Sequence, residues 1–98
     1  MYLNIHENKG GRIVAVCDEN LIGKVFHEGA KTLDLAKYKS FYNGKKANTQ
    51  EVKDALKYFS SANLVGKESI GLALSLKLIS KDDVSYIENV PHVQIYRI

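Results

Sequence analysis

The sequence predicts an α+β fold, in which a small mixed or antiparallel sheet of four to five strands has two helices packed on it. Three observations predict this class. Apolar and polar residues alternate near the start of the chain, as they do in half-buried strands. Beyond Gly44 the apolar residues recur at the three- and four-residue spacing of a helix. The last residues alternate again after the only proline, Pro91, and indicate a closing strand.

The front half of the chain supplies most of the predicted strands. Residues 3–6 alternate, and the segment 9–11 has the composition of a turn. Residues 12–17 are apolar on both faces, which is typical of a central strand covered on both sides. Shorter strands are predicted over 24–26 and over 33–35.

Two helices are predicted after these strands. Asn48 and Glu51 stand at the spacing of a capping box, and a helical apolar stripe follows them. Asn63 is predicted to end this helix in a left-handed conformation. Gly66 leads into a second helix that is apolar over most of its surface. Residues 81–87 are expected to add a short helical turn before the closing strand.

Length and composition indicate a single domain over residues 1–98 with one modest core. The chain has no apolar run long enough to span a membrane, and its N-terminus alternates like a strand rather than a signal segment. The single cysteine excludes an internal disulfide, which suits a reducing cytoplasm. With one cysteine and three scattered histidines, neither a metal site nor a cofactor is expected.

The closing strand carries the most informative polar residue. Pro91 pushes its neighbour into extended geometry, so His92 lies at a defined strand entrance. His92 shares a strand face with Gln94 and Tyr96. Two interpretations stay open: a functional polar strip in which the His92 ring exchanges protons or hydrogen bonds, or a ring that anchors the strand to nearby backbone.

Basic residues concentrate in the front half. The whole net charge of +3 lies in residues 1–48, because residues 49–98 carry equal numbers of acidic and basic side chains. The segment 37–46 contains four lysines and no acid, interleaved with aromatic residues, a combination that single-stranded nucleic acid uses for backbone tracking and stacking. The alternative is a solvated loop with an aromatic anchor. The nucleic-acid-binding candidates are Lys37, Lys39, Tyr42, Lys45 and Lys46.

Cys17 ends the most apolar strand. It could act as a nucleophile only if the fold brings a base such as His92 or His27 within reach. Otherwise it is a small buried hydrophobic residue, and Asp18 beside it is a turn residue.

The pair Gly66-Lys67 precedes a helix. Its free backbone amides, together with Ser69, could hold a phosphate, or the pair could simply form a tight turn before an ordinary helix start. A nucleotide-binding P-loop is excluded, because Ser61 and Glu68 occupy the positions where that motif needs glycine and a hydroxyl residue.

Several short motifs occur in a fixed order. They are Cys17-Asp18, Leu21-x-Gly23-Lys24, Phe26-x-Glu28-Gly29, Phe41-Tyr42-x-Gly44, Asn63-Leu64-Val65-Gly66 and Val90-Pro91-His92-x-Gln94. From about Arg12 to Ile95 the chain therefore resembles an uncharacterised archaeal family known as domain of unknown function 424. The resemblance implies an archaeal, cytoplasmic, single-domain protein and carries no established activity or catalytic residue. Lys77 and Asn89 stand where the family usually has glycine. Asn89 can replace it in a turn, whereas Lys77 implies a different end of the second helix.

Three functions are compatible with the sequence. The first is a non-catalytic module that binds RNA or a ribonucleoprotein or translation-related protein partner. The second is a small enzyme or small-ligand-binding protein with a pocket around His92 and Asn63. The third is a structural homodimer that pairs through an edge strand such as the C-terminal one. Catalytic residues stay unassigned, and the ligand-binding candidates are His92, Gln94, Asn63, Gly66, Lys67 and Cys17.

Overall fold

Strands in two sheets form the framework of the computed structural model, which describes residues 1–97. In chain order the strands are β1 (Tyr2–Asn8), β2 (Gly11–Cys17), β3 (Val25–Glu28), β4 (Lys31–Asp34), β5 (Lys45–Lys46), β6 (Ser61–Val65), β7 (Ser85–Ile87) and β8 (Val90–Tyr96). The helices are α1 (Lys39–Tyr42), α2 (Thr49–Ala55) and α3 (Lys67–Ser75), and a 3-10 turn spans Lys81–Asp83. The predicted α+β class is confirmed, with a larger sheet than expected. No helix in this part of the chain is long and apolar enough to cross a bilayer.

The main sheet has six strands in the order β5-β1-β2-β6-β8-β7, and β3 and β4 form a separate hairpin. Only β2 and β6 run parallel within the described ladders, with Cys17 opposite Val65, so the sheet is mixed. The C-terminal strand β8 lies between β6 and β7 over Val90–His92 rather than at the edge. The predicted central position of residues 12–17 follows from this order.

The helices α2 and α3 cover one face of the main sheet. Val14, Val16 and Leu64 from the central strands pack there against Val52 and Ile70 from the helices, and all five are buried. This is the larger of the two apolar clusters, and burial of such side chains stabilises the fold by roughly 1.5–3 kcal/mol each.

The β3–β4 hairpin and α1 cover the other face. Ala15 and Cys17 of β2 are fully buried there beneath Leu35 and Tyr42. The helix α1 is held on the sheet by His6, whose ring stacks on Phe41 at 4.8 Å and whose Nε2 lies 2.9 Å from the Phe41 carbonyl oxygen. The sheet is therefore a middle layer, which explains why β2 is apolar on both sides.

The hairpin is also held at its far end. Glu88, in the turn between β7 and β8, accepts a hydrogen bond from the His27 backbone N–H at 2.7 Å. The Glu88 backbone N–H in turn donates to the Glu28 carboxylate at 2.9 Å. These two bonds fix the β3–β4 hairpin over the sheet edge.

The first long helix is shorter than predicted. The capping box is present: the Glu51 N–H donates to Asn48 Oδ1 at 2.8 Å, and the Asn48 N–H donates to Glu51 Oε1 at 3.1 Å. However, α2 ends at Ala55, and Asn63 lies in β6 instead of ending a helix. The reason is that Ala62 fits both a helical and an alternating pattern, and pairing with β2 and β8 on both sides favours the strand.

The two positions that depart from the family pattern both take the backbone conformation typical of glycine. Lys77 has φ 59°, and Asn89 has φ 65° in the two-residue turn that joins β7 to β8. At the end of α3 the Lys77 N–H donates to the Leu74 carbonyl and the Leu78 N–H to the Ala73 carbonyl, which is a Schellman motif. Lysine thus adopts the left-handed conformation itself, and the helix ends in this motif without a glycine. Residues 81–87, predicted as a helical turn, divide into the 3-10 turn and β7.

Candidate functional site

A groove crosses the second face of the main sheet, beneath the β3–β4 hairpin and α1. It consists of two adjoining cavities of about 440 and 460 Å³, which share Leu33, Tyr42, Asn63 and Gln94. We call it the amide groove, after the two side-chain amides at its centre. The first cavity is lined additionally by Thr32, Asp34, Leu35, Tyr38 and Phe41, and the second by Val65, Asp83, Ser85, His92 and Val93.

Strand alternation directs both amides into this groove. Ala62 and Leu64 pack under the helices, so Asn63 between them projects from the opposite face of β6. Asn63 is the direct cross-strand partner of Gln94 in the antiparallel β6–β8 ladder. Directly opposite residues of an antiparallel pair have Cβ atoms about 5 Å apart, so the two amides form one polar unit.

The central amides keep most of their hydrogen-bonding capacity. Asn63 makes no side-chain hydrogen bond within residues 1–97, and Gln94 accepts only one, from the Tyr96 hydroxyl at 3.1 Å. An amide has two N–H donors and an oxygen with two lone pairs. The pair can therefore donate to and accept from a ligand in the groove.

His92 lies at the other end of the second cavity, on the same strand face as Gln94. Its cross-strand partners are Val65 on one side and Ser85 on the other. Its Nδ1 is sealed from solvent and has no hydrogen-bond partner in the part of the chain that the structure describes. The backbone anchor that one sequence interpretation required is thus not seen there.

Cys17 lies outside the groove. Its side chain is fully buried, and its Sγ contacts the Asp18 carbonyl oxygen at 3.4 Å. Burial, with a smaller contribution from the Asp18 charge, raises the pKa of the Cys17 thiol to about 12. Val65 stands between Cys17 and His92 in the sheet, so their strands lie about 10 Å apart. This arrangement does not bring the thiol and the imidazole together as a nucleophile and base.

The predicted anion site at Gly66 and Lys67 is filled by a carboxylate of the chain itself. Asp18 accepts hydrogen bonds from the Glu68 N–H at 2.9 Å and from the Ser69 N–H at 2.8 Å. The Ser69 hydroxyl also donates to it at 2.7 Å. Asp18 thus occupies the position where a phosphate would bind, and its negative charge would repel one. The Asp18 backbone carbonyl also accepts from the Leu21 N–H at 3.1 Å, so Asp18 begins the turn that the sequence suggested and in addition caps α3 with its carboxylate.

The basic segment 37–46 is an ordered part of the fold. Lys45 pairs with Glu51 at 2.7 Å and Lys46 with Glu19 at 2.8 Å. The Lys46 ammonium beside Glu19 lowers the pKa of that carboxyl, and the carboxylate raises the pKa of Lys46. These two lysines are thus already engaged by acids.

The other members of the segment lie beside the groove. Lys37 and Lys39 are exposed and form no ion pair within residues 1–97, and Lys37 Nζ stands 5.5 Å from the centre of the Tyr38 ring. Tyr42 is buried at the centre of the groove with its ring edge-to-face on Phe41 at 5.1 Å. Burial raises the pKa of Tyr42 to about 12.

Of the ligand-binding candidates, the structure brings His92, Asn63 and Gln94 together and leaves Gly66, Lys67 and Cys17 outside the groove. Sequence reasoning missed the acidic and hydroxyl residues that line it. Asp83 and Ser85 were assigned to a helical turn, although Ser85-Tyr86-Ile87 alternates like a strand. Asp34 was missed because nothing local in the sequence places the β3–β4 hairpin over the sheet.

The fold and the groove define an α+β protein whose mixed sheet carries a ligand-sized polar groove on one face. The chain belongs to the family described as Protein of unknown function (DUF424), whose model matches residues 5–98. The resemblance predicted from the order of the motifs is therefore confirmed. The structure is similar to the crystal structure of an uncharacterised conserved protein from the archaeon Methanopyrus kandleri, with a TM-score of 0.78 and 26% sequence identity over 97% of this chain and 89% of that chain. None of the curated proteins matches this chain.

Proposed function

We propose that this protein is a non-catalytic module that binds single-stranded RNA, taking an unstacked base into the amide groove. The observation that carries the proposal is the cross-strand pair of Asn63 and Gln94, whose amides are free to bond in a groove lined by aromatic rings. Proteins that read single-stranded RNA stack its bases on aromatic side chains and bond their edges with polar groups. Side-chain amides suit base edges because they offer a donor and an acceptor side by side.

The rim of the first cavity supports contact with the sugar-phosphate backbone. Tyr38 lines that cavity, is 54% exposed and stands in sequence between Lys37 and Lys39. Both lysines are free of ion pairs with residues 1–97, whereas Lys45 and Lys46 are paired with acids. An exposed ring between two free cations can hold one base and the phosphates beside it.

The small number of free lysines predicts weak salt dependence. Each phosphate neutralised on a single strand contributes about −0.7 to the slope of log affinity against log salt concentration, so two contacts give about −1.4. This modest value agrees with a net charge of only +3. Recognition would then depend mainly on the groove.

The test is fluorescence anisotropy of a labelled 12-nucleotide single-stranded RNA at several salt concentrations, with three variant proteins. Replacing Asn63 and Gln94 together by alanine should weaken binding at least tenfold, because each lost base contact costs roughly 1–3 kcal/mol. Replacing Lys37 and Lys39 by alanine should weaken binding and flatten the salt slope to near zero. The matched control replaces Lys45 and Lys46 by alanine, which removes the same charge from the already paired lysines and should change binding little.

Two results would overturn the proposal. One is that no single-stranded RNA binds at low salt. The other is that the Asn63→Ala, Gln94→Ala variant binds like the unmodified protein.

One observation favours a second candidate, the binding of a free small polar ligand. The second cavity, of about 460 Å³, is lined by the polar side chains of Asp83, Ser85 and His92. Ligand pockets of this kind combine a few convergent polar groups with an apolar lining. A rise in Tm with free nucleosides, without any affinity for the RNA strand, would favour this candidate over an RNA-binding module.

A further inference from the structure

We infer that the base that the amide groove selects carries an exocyclic amino group. The inference rests on the proposed RNA-binding function and names the ligand class of the same groove. It comes from the charges and hydrogen-bond acceptors that line the two cavities.

Acidic side chains line both cavities. Asp34 lines the first cavity and Asp83 the second, and neither cavity is lined by lysine or arginine within residues 1–97. Thr32 and Ser85 add a hydroxyl to each cavity. A phosphate group inside the groove would meet these carboxylates and be repelled. The phosphates therefore stay outside the groove, near Lys37 and Lys39, and the uncharged base is the part of a nucleotide that enters the groove.

Each carboxylate keeps an acceptor oxygen for a ligand. Asp34 Oδ1 accepts from the backbone N–H groups of Ala36 at 3.1 Å and Lys37 at 2.7 Å. Asp83 Oδ2 accepts from the Ser80 N–H at 2.8 Å. The second oxygen of each carboxylate has no partner in the described chain, so a ligand that brings N–H donors gains charge-assisted hydrogen bonds.

Adenine is one base that fits this arrangement. Its amino group is a donor beside a ring-nitrogen acceptor, the pattern that a side-chain amide such as Asn63 or Gln94 meets with two bonds. Guanine and cytosine also carry an exocyclic amino group that can donate to a carboxylate, so the inference covers all three amino-bearing bases. Uracil has no amino group at all and should be the weakest ligand.

The test compares three 12-nucleotide RNAs that differ at one central position in a uridine strand: adenosine, purine riboside and uridine. Purine riboside lacks only the amino group of adenosine. The adenosine strand should bind about tenfold more tightly than the purine strand, since one good base contact discriminates by that order. The uridine strand should bind no better than the purine strand.

A pair of variants assigns the preference to the groove. Asp83→Asn keeps an acceptor for the Ser80 N–H but removes the charge, so the ratio between adenosine and purine strands should fall several-fold. Asp82→Asn makes the same change of charge at an exposed neighbour that does not line the groove, and the ratio should stay the same.

The outcomes separate the inference from the function on which it rests. Equal binding of the three strands would overturn the amino-group preference while the RNA-binding function stands. Tighter binding of the uridine strand, or equal effects of the two Asp variants, would also overturn the inference. Absence of binding to every strand would overturn both.

Discussion

The Asp18 carboxylate accepts hydrogen bonds from both the backbone N–H and the hydroxyl of Ser69, at 2.8 and 2.7 Å, across 51 positions of sequence. Asp18 directly follows β2, and Ser69 lies in the first turn of α3. A helix N-terminus attracts negative charge because its first N–H groups lack partners and its dipole is positive there. The residue directly after the central strand thus supplies a negative charge that stabilises the N-terminus of α3. The same hydrogen bonds fix α3 to the end of β2.

Replacing Asp18 by alanine should lower the free energy of unfolding by about 2–4 kcal/mol, because it leaves buried donors of Ser69 without acceptors. Urea denaturation measures this change. Asp82→Ala removes an exposed acid of the 3-10 turn and serves as a control, with an expected change near zero. A loss below about 0.5 kcal/mol for Asp18→Ala would contradict the capping role, since that is the size of an ordinary surface effect.

Two glycines of the same region should respond to alanine in opposite directions. Gly66 has φ 108°, and a Cβ there would collide with the Asp18 carboxylate, so Gly66→Ala should destabilise the protein by more than about 2 kcal/mol. Gly71 lies in α3 with open space where a Cβ would stand, so Gly71→Ala should stabilise it by roughly 0.5–1 kcal/mol. Thermal unfolding of the two variants measures the direction of each change in stability. If both variants gain or both lose stability, this account of the two glycines is refuted.

Replacing Lys77 by glycine should stabilise the protein. Lys77 holds φ 59° in the Schellman motif that ends α3, a conformation that costs a residue with a Cβ about 1 kcal/mol. Lys77→Gly should therefore raise the free energy of unfolding by roughly 0.5–1 kcal/mol, measured by urea denaturation. Lys53→Gly, inside α2, is the matched control and should lower it by about 1 kcal/mol. If both variants lose stability, the helix end does not have this strain.

Stability should fall at alkaline pH because Cys17 and Tyr42 are buried as neutral groups. Their pKa values are raised in the folded state, each to about 12, from ordinary values of 9 and 10. Their stabilising contribution is complete below the unfolded-state pKa and is lost as the pH rises from about 9 towards 12, because only the unfolded chain releases these protons. Within its own window, each group lowers the free energy of unfolding by about 1.4 kcal/mol per pH unit.

Urea midpoints at pH 8, 9, 10 and 11 measure this effect, and Cys17→Ala with Tyr42→Phe is the comparison. The double variant removes both titrating groups, so its stability should change less steeply over the same range, whatever its value at pH 8. Parallel pH profiles of the two proteins would show that other groups cause the alkaline loss.

Local patterns predicted the elements whose signals are themselves local. The Asn48–Glu51 capping box and the shared face of His92 and Gln94 were both read from residue spacing and are present in the structure. The class of fold followed from the change of period along the chain. These features depend on neighbours within a few residues, so a single sequence contains them.

Features that depend on distant partners could not be predicted. Asn63 was placed at a helix end because the apolar residues before it continue the helical spacing, and only pairing with β2 and β8 makes it a strand residue. Asp18 has no local pattern that names Ser69 as its partner. The groove itself forms only because the β3–β4 hairpin packs over the sheet, where two hydrogen bonds with Glu88 hold it.

The parallel pairing of β2 with β6 limits the order in which the strands can pair while the protein is being synthesised. The link between Arg12 and Ser60 spans 48 positions, so β2 leaves the ribosome long before its central partner exists. Until Val65 has emerged, one edge of the apolar strand β2 keeps unpaired backbone groups. The centre of the sheet can therefore form only during the second half of translation. A chain interrupted before that residue would offer this edge to other chains, and we expect such fragments to aggregate rather than form half of the fold.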